Sequence, residues 1–140
     1  MKKKVYLISC TKEKNGQSGD GIKYVARDLY SGPSFTCAML RPEIKSAIRA
    51  NRVFIFSGYY GLVELWQEIE WYDKHFVANA TEEERVKLIT KIKNDLARRG
   101  FKNANADFIF YGKEDYWNAI KKHWPEIKFC AYNGSYEMRA

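Results

Sequence analysis

Residues 5–10, with the sequence VYLISC, form a short apolar run rich in β-forming side chains, and a glycine-rich polar segment follows at residues 11–23. An apolar run of this length that stops at such a loop is typical of a buried strand. Three further runs have the same character: residues 53–56 (VFIF), 108–111 (FIFY) and 127–132 (IKFCAY). The sequence therefore predicts four buried strands.

Helical patterns separate these runs. The clearest begins at residues 81–84 (TEEE), which is a capping box, and ends near Gly100, where a C-terminal cap belongs. A second pattern covers residues 33–50, and Pro42 within it predicts a kink or a restart. A third covers residues 113–124 and is stopped by a proline.

Strands that alternate with helices indicate a parallel sheet with right-handed crossovers. We therefore predict one α/β domain over residues 1–140: a single Rossmann-like, three-layer domain with a mainly parallel sheet of about four strands. Residues 59–80 are dense in aromatic side chains without a clean period, so no element is predicted there. The order of the strands in the sheet is not predicted either.

Composition limits the class of protein. With 46% apolar residues among 140, the chain has ample material for a core, which excludes intrinsic disorder. No run approaches the ~18 apolar residues that cross a bilayer, so no membrane partner is predicted and a cytoplasmic location is expected. The net charge of +7 favours anionic partners, either nucleic acid or small phosphates, although a lysine-rich surface explains it equally well.

Cysteine and histidine usage argues against a metal site. Three widely spaced cysteines and two histidines match neither a disulfide framework nor a zinc signature. We predict no metal and no cofactor.

In an open parallel sheet, ligands bind beyond the carboxyl ends of the strands. That rule selects four segments: residues 9–12 (SCTK), 57–61 (SGYYG), 111–114 (YGKE) and 132–135 (YNGS). Each contains small or hydroxylic residues, as expected where the backbone approaches a ligand closely. The sequence predicts a ligand site at this edge.

The first of these segments has the groups of an anion site. Ser9 and Thr11 supply hydroxyls and Lys12 a positive charge, although an ordinary turn with a solvated lysine has the same sequence. Neither a P-loop nor a dinucleotide-binding motif is present.

Three side chains near the predicted edge are candidates for chemistry. Cys10 is a nucleophile if a neighbour lowers its pKa, and otherwise a buried thiol. Asp28 faces a ligand or caps a turn. Asp73 lies beside His75, which is either a proton shuttle or a surface histidine.

The aromatic residues between positions 57 and 76 either stack on bases or cover the core. We interpret them as a mixture, with Tyr59 or Tyr60 near the site and with Trp66 and Trp71 in packing roles.

Four segments carry a resemblance to a known family: residues 8–12 (ISCTK), 26–35 (ARDLYSGPSF), 56–63 (FSGYYGLV) and 72–73 (YD). They resemble a poorly characterised microbial and phage domain of unknown function with the pattern S-C-[ST]-K, A-x-D-L-Y-x-[SG]-x-x-F, S-A-K-[YH]-G-L-V and P-Y-D. Two places depart from it, since Gly58-Tyr59 replaces Ala-Lys and Trp71 replaces the proline. If that lysine binds a phosphate in relatives, the affinity or chemistry of this chain differs.

Such domains are similar in layout to tRNA-guanine transglycosylase accessory domains and to nucleoside deoxyribosyltransferase-like N-glycosidases. The resemblance implies a nucleotide, nucleobase or nucleic-acid ligand. It implies that Lys12 binds a phosphate and that a base stacks on Tyr60. It also implies that a carboxylate, Asp28 or Asp73, stabilises or attacks an oxocarbenium-like sugar carbon. Glu64 is a less favoured candidate for that carboxylate.

We therefore predict a domain that binds a nucleotide or a nucleobase. If the domain is an enzyme, we expect it to act at an N-glycosidic bond. The alternatives are a non-catalytic nucleic-acid-binding module and a protein-interaction domain. The candidate catalytic residues are Asp28, Asp73 and Cys10. The candidate ligand-binding residues are Ser9, Thr11, Lys12, Tyr30, Ser57, Gly58, Tyr60 and Gly61.

Overall fold

The computed structural model describes residues 2–10, 14–15, 21–72, 80–132 and 138–139. Within these ranges the strands are β1 (Lys3–Ser9), β2 (Lys23–Val25), β3 (Val53–Ser57), β4 (Gly61–Glu64), β5 (Glu68–Glu70), β6 (Ala106–Gly112), β7 (Lys128–Tyr132) and β8 (Met138–Arg139). The helices are α1 (Ala26–Leu29), α2 (Pro33–Met39), α3 (Pro42–Arg49), α4 (Glu82–Arg98) and α5 (Glu114–Lys121).

Six of the described strands form one sheet in the order β4-β3-β1-β6-β7-β8. The four inner strands β3, β1, β6 and β7 are parallel, and β4 and β8 pair antiparallel at the two edges. Strands β2 and β5 form a separate antiparallel pair. The four inner strands are those that the apolar runs predict, so the α/β class and the mainly parallel sheet are confirmed. The predicted number of about four strands is too low, because the two antiparallel edge strands were not predicted.

Strand β1 lies at the centre of the sheet and contributes to two apolar cores. Val5 and Leu7 belong to a core that also contains buried residues of α4 and α5. Tyr6 and Ile8 belong to a core that contains buried residues of α2 and α3. Successive side chains of a strand point to opposite faces, so the two cores lie on opposite faces of β1.

The predicted helix signals are also confirmed. Thr81 and Glu84 form the capping box, because the Glu84 N–H donates to Thr81 Oγ1 at 3.2 Å and the Thr81 N–H donates to Glu84 Oε1 at 3.0 Å. Gly100 follows α4 with a φ of +87°. Pro42 marks a restart, since α2 ends at Met39 and α3 begins at Pro42.

The aromatic stretch that showed no period contains two strands. A short turn after Ser57 leads into β4, where Gly61 adopts a φ of +87° and pairs with Ser57. Strand β5 follows and pairs with β2. None of the helices that the structure describes is both long and apolar enough to span a membrane.

The carboxyl ends of β1 and β6 approach each other closely at Gly112. A Cβ atom added there would lie 2.8 Å from the Cβ atom of Ser9 and 2.8 Å from Cε2 of Phe110. Since the Ser9 Cβ is fixed by its own backbone, the two strand ends fit together only when residue 112 has no side chain.

We expect Gly112→Ala to lower the free energy of unfolding by about 1–3 kcal/mol, because overpacking at a rigid contact forces the backbone to shift. Urea unfolding followed by tryptophan fluorescence measures the change. The control is Lys113→Ala at the exposed neighbouring position, which should change stability little. Equal stabilities of the two variants would contradict the close approach.

Candidate functional site

Ser57 ends β3 with a hydroxyl that is fully buried. Its Oγ accepts hydrogen bonds from the N–H groups of Tyr60 at 2.9 Å and Tyr59 at 3.2 Å, and it donates to the hydroxyl of Tyr72 at 2.9 Å. The hydroxyls of Tyr72 and Tyr30 share a further hydrogen bond of 2.6 Å. We call Ser57, Tyr72 and Tyr30 the hydroxyl chain; it connects the β3–β4 turn to α1.

Burial raises the pKa of both phenols of the hydroxyl chain far above the usual 10, and the neighbouring Cys10 raises it further. Tyr30 and Tyr72 are therefore neutral hydroxyls at physiological pH. They can donate or accept hydrogen bonds, but they do not supply an anionic base there.

The two tyrosines of the β3–β4 turn have different surroundings. Tyr60 is half-buried: its hydroxyl donates to the Glu70 carbonyl and accepts from the Glu70 N–H, both at 3.1 Å. Burial also raises the pKa of Tyr60. Tyr59 is 58% exposed, and its ring stacks on Tyr72 with centroids 5.3 Å apart and planes at 20°. Tyr59 is thus the ring of this turn that is open to a ligand.

A cavity of about 400 Å³ lies beside Tyr59, between the β3–β4 turn and α4. Two lysines of α4 line it, and their spacing of one helical turn places both amines on the same side. The Lys91 ammonium donates to the Tyr60 carbonyl at 3.2 Å, and Lys87 pairs loosely with Glu83 at 3.6 Å. The lining residues are Gly58, Tyr59, Ala80, Glu84, Lys87, Leu88 and Lys91.

The hydroxyl chain involves two of the predicted ligand residues, Ser57 and Tyr30, and Cys10 lies near enough to influence both phenols. The Cys10 thiol is buried, and its N–H donates to the Phe56 carbonyl at 2.9 Å. Ser9 is also buried, and its hydroxyl donates to the Cys10 carbonyl at 2.9 Å. Both residues are thus inside the fold at the end of β1.

The carboxylate of Asp28 is exposed to solvent. Its side chain is 73% exposed and lies 3.9 Å from the Arg27 Nε, and its carbonyl accepts a hydrogen bond from the Asn15 amide at 2.7 Å. Its catalytic role stays a prediction. The outside candidate Glu64 is exposed too, and it pairs with Arg99 at 3.3 Å. Four residues singled out in the sequence, Thr11, Lys12, Asp73 and His75, lie outside the described part of the chain.

Sequence reasoning did not single out a second polar cluster, at the start of α3. The Glu43 carboxylate accepts hydrogen bonds from Arg41 Nε at 2.6 Å and from the Tyr111 hydroxyl at 3.0 Å. Burial acts to raise the pKa of Glu43, but hydrogen bonds from Arg41, from its own backbone and from Tyr111 outweigh it and hold that pKa below its usual value. The ionised Glu43 carboxylate thus links α3 to β6 through its hydrogen bond to Tyr111.

Burial also raises the pKa of Tyr111 above 10 and that of the Cys130 thiol above 9.0. Across the part of the chain that the structure describes, no three histidine, cysteine, aspartate or glutamate side chains are grouped closely enough to hold a metal ion.

Neither the curated proteins nor the solved structures give a significant match to the chain. One family model matches residues 5–131, which include the four parallel strands except for the ends of β1 and β7, and its description is "Family of unknown function (DUF6884)". The match confirms the expected resemblance to an uncharacterised domain; the likeness to transglycosylase accessory domains is untested. Since the family model covers most of the sequence, the chain belongs to the DUF6884 family of unknown function.

Proposed function

We propose that this chain is a nucleotide- or nucleobase-binding domain whose ligand occupies the cavity between the β3–β4 turn and α4. One observation carries the proposal: Tyr59, whose ring is exposed, lines the same cavity as the basic residues Lys87 and Lys91. An aromatic face accepts a base by stacking, and lysines neutralise phosphate.

The support for base stacking is the rigid mounting of Tyr59. Its backbone N–H bonds to the buried Ser57 hydroxyl, and its ring rests on Tyr72, which is itself 93% buried. A ring held in this way loses little conformational entropy when a base stacks on it.

The support for phosphate binding is electrostatic. Lys87 and Lys91 are exposed, and the whole chain carries a net charge of +7. The cavity volume of about 400 Å³ is also within the range of small-molecule sites, about 300–1,000 Å³.

The position of the cavity agrees with a Rossmann-like three-layer arrangement, which we propose as the finer description of the fold. In such folds ligands bind beyond the carboxyl ends of the parallel strands, and the cavity lies beyond the carboxyl end of β3. Cleavage of an N-glycosidic bond, with Asp28, Asp73 or Cys10 as the candidate catalytic residue, is the catalytic extension of this proposal.

We expect Tyr59→Ala to weaken the binding of a mononucleotide about tenfold or more, because stacking on an aromatic side chain contributes about 1–3 kcal/mol per base. Isothermal titration with each of the common mononucleotides measures the affinity. The matched control is Trp66→Ala, which removes an aromatic ring of similar exposure, 62%, from a different cavity. Equal affinities of Tyr59→Ala and the unaltered protein would refute the stacking role.

The same titrations, repeated at two salt concentrations and with short oligonucleotides, separate the alternatives. Binding of oligonucleotides alone, lost steeply as salt rises, favours a nucleic-acid-binding module. Tight binding of a mononucleotide that tolerates salt favours a pocket. Chromatography of the incubated nucleotide then detects base release, and Asp28→Asn should abolish that release if Asp28 is catalytic.

A further inference from the structure

Three aromatic rings surround the ammonium group of Lys14. Its Nζ lies 4.6 Å from the ring centroid of Tyr72, 5.5 Å from that of Trp71 and 5.9 Å from that of Tyr30. All three distances are within the range of a cation–π interaction. We call Tyr30, Trp71 and Tyr72 the aromatic cage.

The walls of the aromatic cage are fixed by the fold. Tyr30 and Tyr72 are only 2% and 7% exposed, and their hydroxyls are joined to each other and to Ser57. The indole N–H of Trp71 is buried and has no hydrogen-bond partner among the described residues. A rigid cage of this kind is already organised for a cation.

Other described lysines that lie over an aromatic ring have a single ring. Lys121 lies 4.2 Å from the Trp117 centroid, and Lys93 lies 5.8 Å from the Trp124 centroid. The three-ring arrangement at Lys14 therefore differs from the ordinary contact of a surface lysine with an aromatic residue.

We propose that the aromatic cage is a binding site for a methylated organic cation, and that Lys14 occupies this site when the ligand is absent. A primary ammonium is strongly hydrated, whereas a quaternary ammonium spreads its charge over methyl groups and leaves water more readily. Stacked aromatic faces are the usual means of recognising quaternary ammonium groups. The cage residues do not line the cavity beside Tyr59, so this inference does not depend on the proposed function.

Lys14 acts in this scheme as a tethered competitor. The backbone of residues 14 and 15 is attached to α1 and the residue after it. The Asn15 N–H donates to the Leu29 carbonyl at 2.7 Å, and Lys14 forms an isolated antiparallel β-bridge with Tyr30. A group tethered at such short range has an effective concentration of about millimolar or higher, so an external cation binds the unaltered protein weakly.

The test is the affinity for choline of the full chain and of Lys14→Met, which keeps an unbranched side chain, one heavy atom shorter, and removes its charge. We expect Lys14→Met to bind choline at least tenfold more tightly than the unaltered protein does, with tryptophan fluorescence as the readout. The neutral isostere 3,3-dimethyl-1-butanol should not show this gain. Adding Trp71→Leu to Lys14→Met should abolish it, and Lys121→Met, which uncovers one ring, should not produce it.

Equal choline affinities of Lys14→Met and the unaltered protein would overturn the proposal, as would equal binding of choline and its isostere or retained binding without Trp71. If Lys14→Met fails to fold, the indole N–H resonance of Trp71 in the unaltered chain gives the answer. A shift with saturating choline and not with the isostere supports the site, and no shift overturns it.

Discussion

Replacing Ser57 with alanine is expected to lower the free energy of unfolding by about 2–4 kcal/mol, because each buried polar group that loses its partner costs about 1–3 kcal/mol. The Ser57 hydroxyl bonds to three groups: the N–H groups of Tyr59 and Tyr60 and the hydroxyl of Tyr72. Alanine at position 57 removes all three bonds. Urea unfolding followed by tryptophan fluorescence measures the loss.

Ser9 provides a matched control for this experiment. It is a buried serine at the end of the neighbouring parallel strand, but its hydroxyl makes one hydrogen bond within the described part of the chain, to the adjacent Cys10 carbonyl. Ser9→Ala is therefore expected to lower the free energy of unfolding by about 1 kcal/mol or less. If both alanine variants lose the same stability, the three-way bonding of Ser57 does not hold the turn.

The effect of Ser57→Ala also extends to the proposed ligand site. Ser57 does not line the cavity, but it fixes the backbone of Tyr59, which does. A folded Ser57→Ala variant should therefore bind a mononucleotide more weakly than Ser9→Ala does, since a looser Tyr59 must be ordered when the base stacks.

Much of the fold follows from local sequence signals. The four parallel strands are predictable because each contains a run of at least four apolar residues, as a strand buried on both faces requires. Helix α4 is predictable because its two ends carry their own signals, the capping box at Thr81 and the glycine at position 100. These signals depend on residues within a few positions of each other.

Strands β4 and β5 were not predictable for the opposite reason. Their pairing depends on a turn held by the buried Ser57 hydroxyl and on a tyrosine, Tyr60, whose hydroxyl bonds to the backbone ten residues later. The sequence shows only many aromatic residues without a repeating period there, because the position of each ring depends on a partner that is distant in the sequence.

The candidate site was predictable in part. The rule for sheet edges selects Ser57 and the turn after it, yet it does not reveal that Tyr59 is exposed while Tyr60 is held by Glu70. The basic side of the cavity comes from Lys87 and Lys91, on the exposed surface of α4, where lysines ordinarily only face water. Only the packing of α4 against the β3–β4 hairpin makes them part of a cavity.

Alkaline pH is expected to destabilise this protein steeply from about pH 10 upward. Burial raises the pKa of Tyr30, Tyr72 and Tyr111 above the usual 10. Between pH 10 and their raised pKa values, the folded chain keeps phenol protons that the unfolded chain releases. The contribution of each tyrosine to the free energy of unfolding is therefore fully present below pH 10. Above pH 10 it falls by up to about 1.4 kcal/mol per pH unit for each tyrosine.

Tyr30→Phe isolates one of these contributions from the many lysines that also titrate in this range. Below pH 10 the variant should be less stable than the unaltered protein, because the hydrogen bond to Tyr72 is missing. Above pH 10 the difference should shrink, since phenylalanine has no proton to release on unfolding and only the unaltered protein loses the stability that Tyr30 gives. Urea unfolding at steps between pH 8 and 11 measures the difference.

Phe35→Leu distinguishes this linkage from a general weakening of the core. The Phe35 ring is 2% exposed and lies 5.5 Å from the Tyr30 ring, but it carries no ionisable group. Its stability difference from the unaltered protein should stay constant with pH while that of Tyr30→Phe falls. Parallel curves for the two variants would show that the folded chain releases the Tyr30 proton as readily as the unfolded chain does, and that the hydroxyl chain does not keep this phenol neutral.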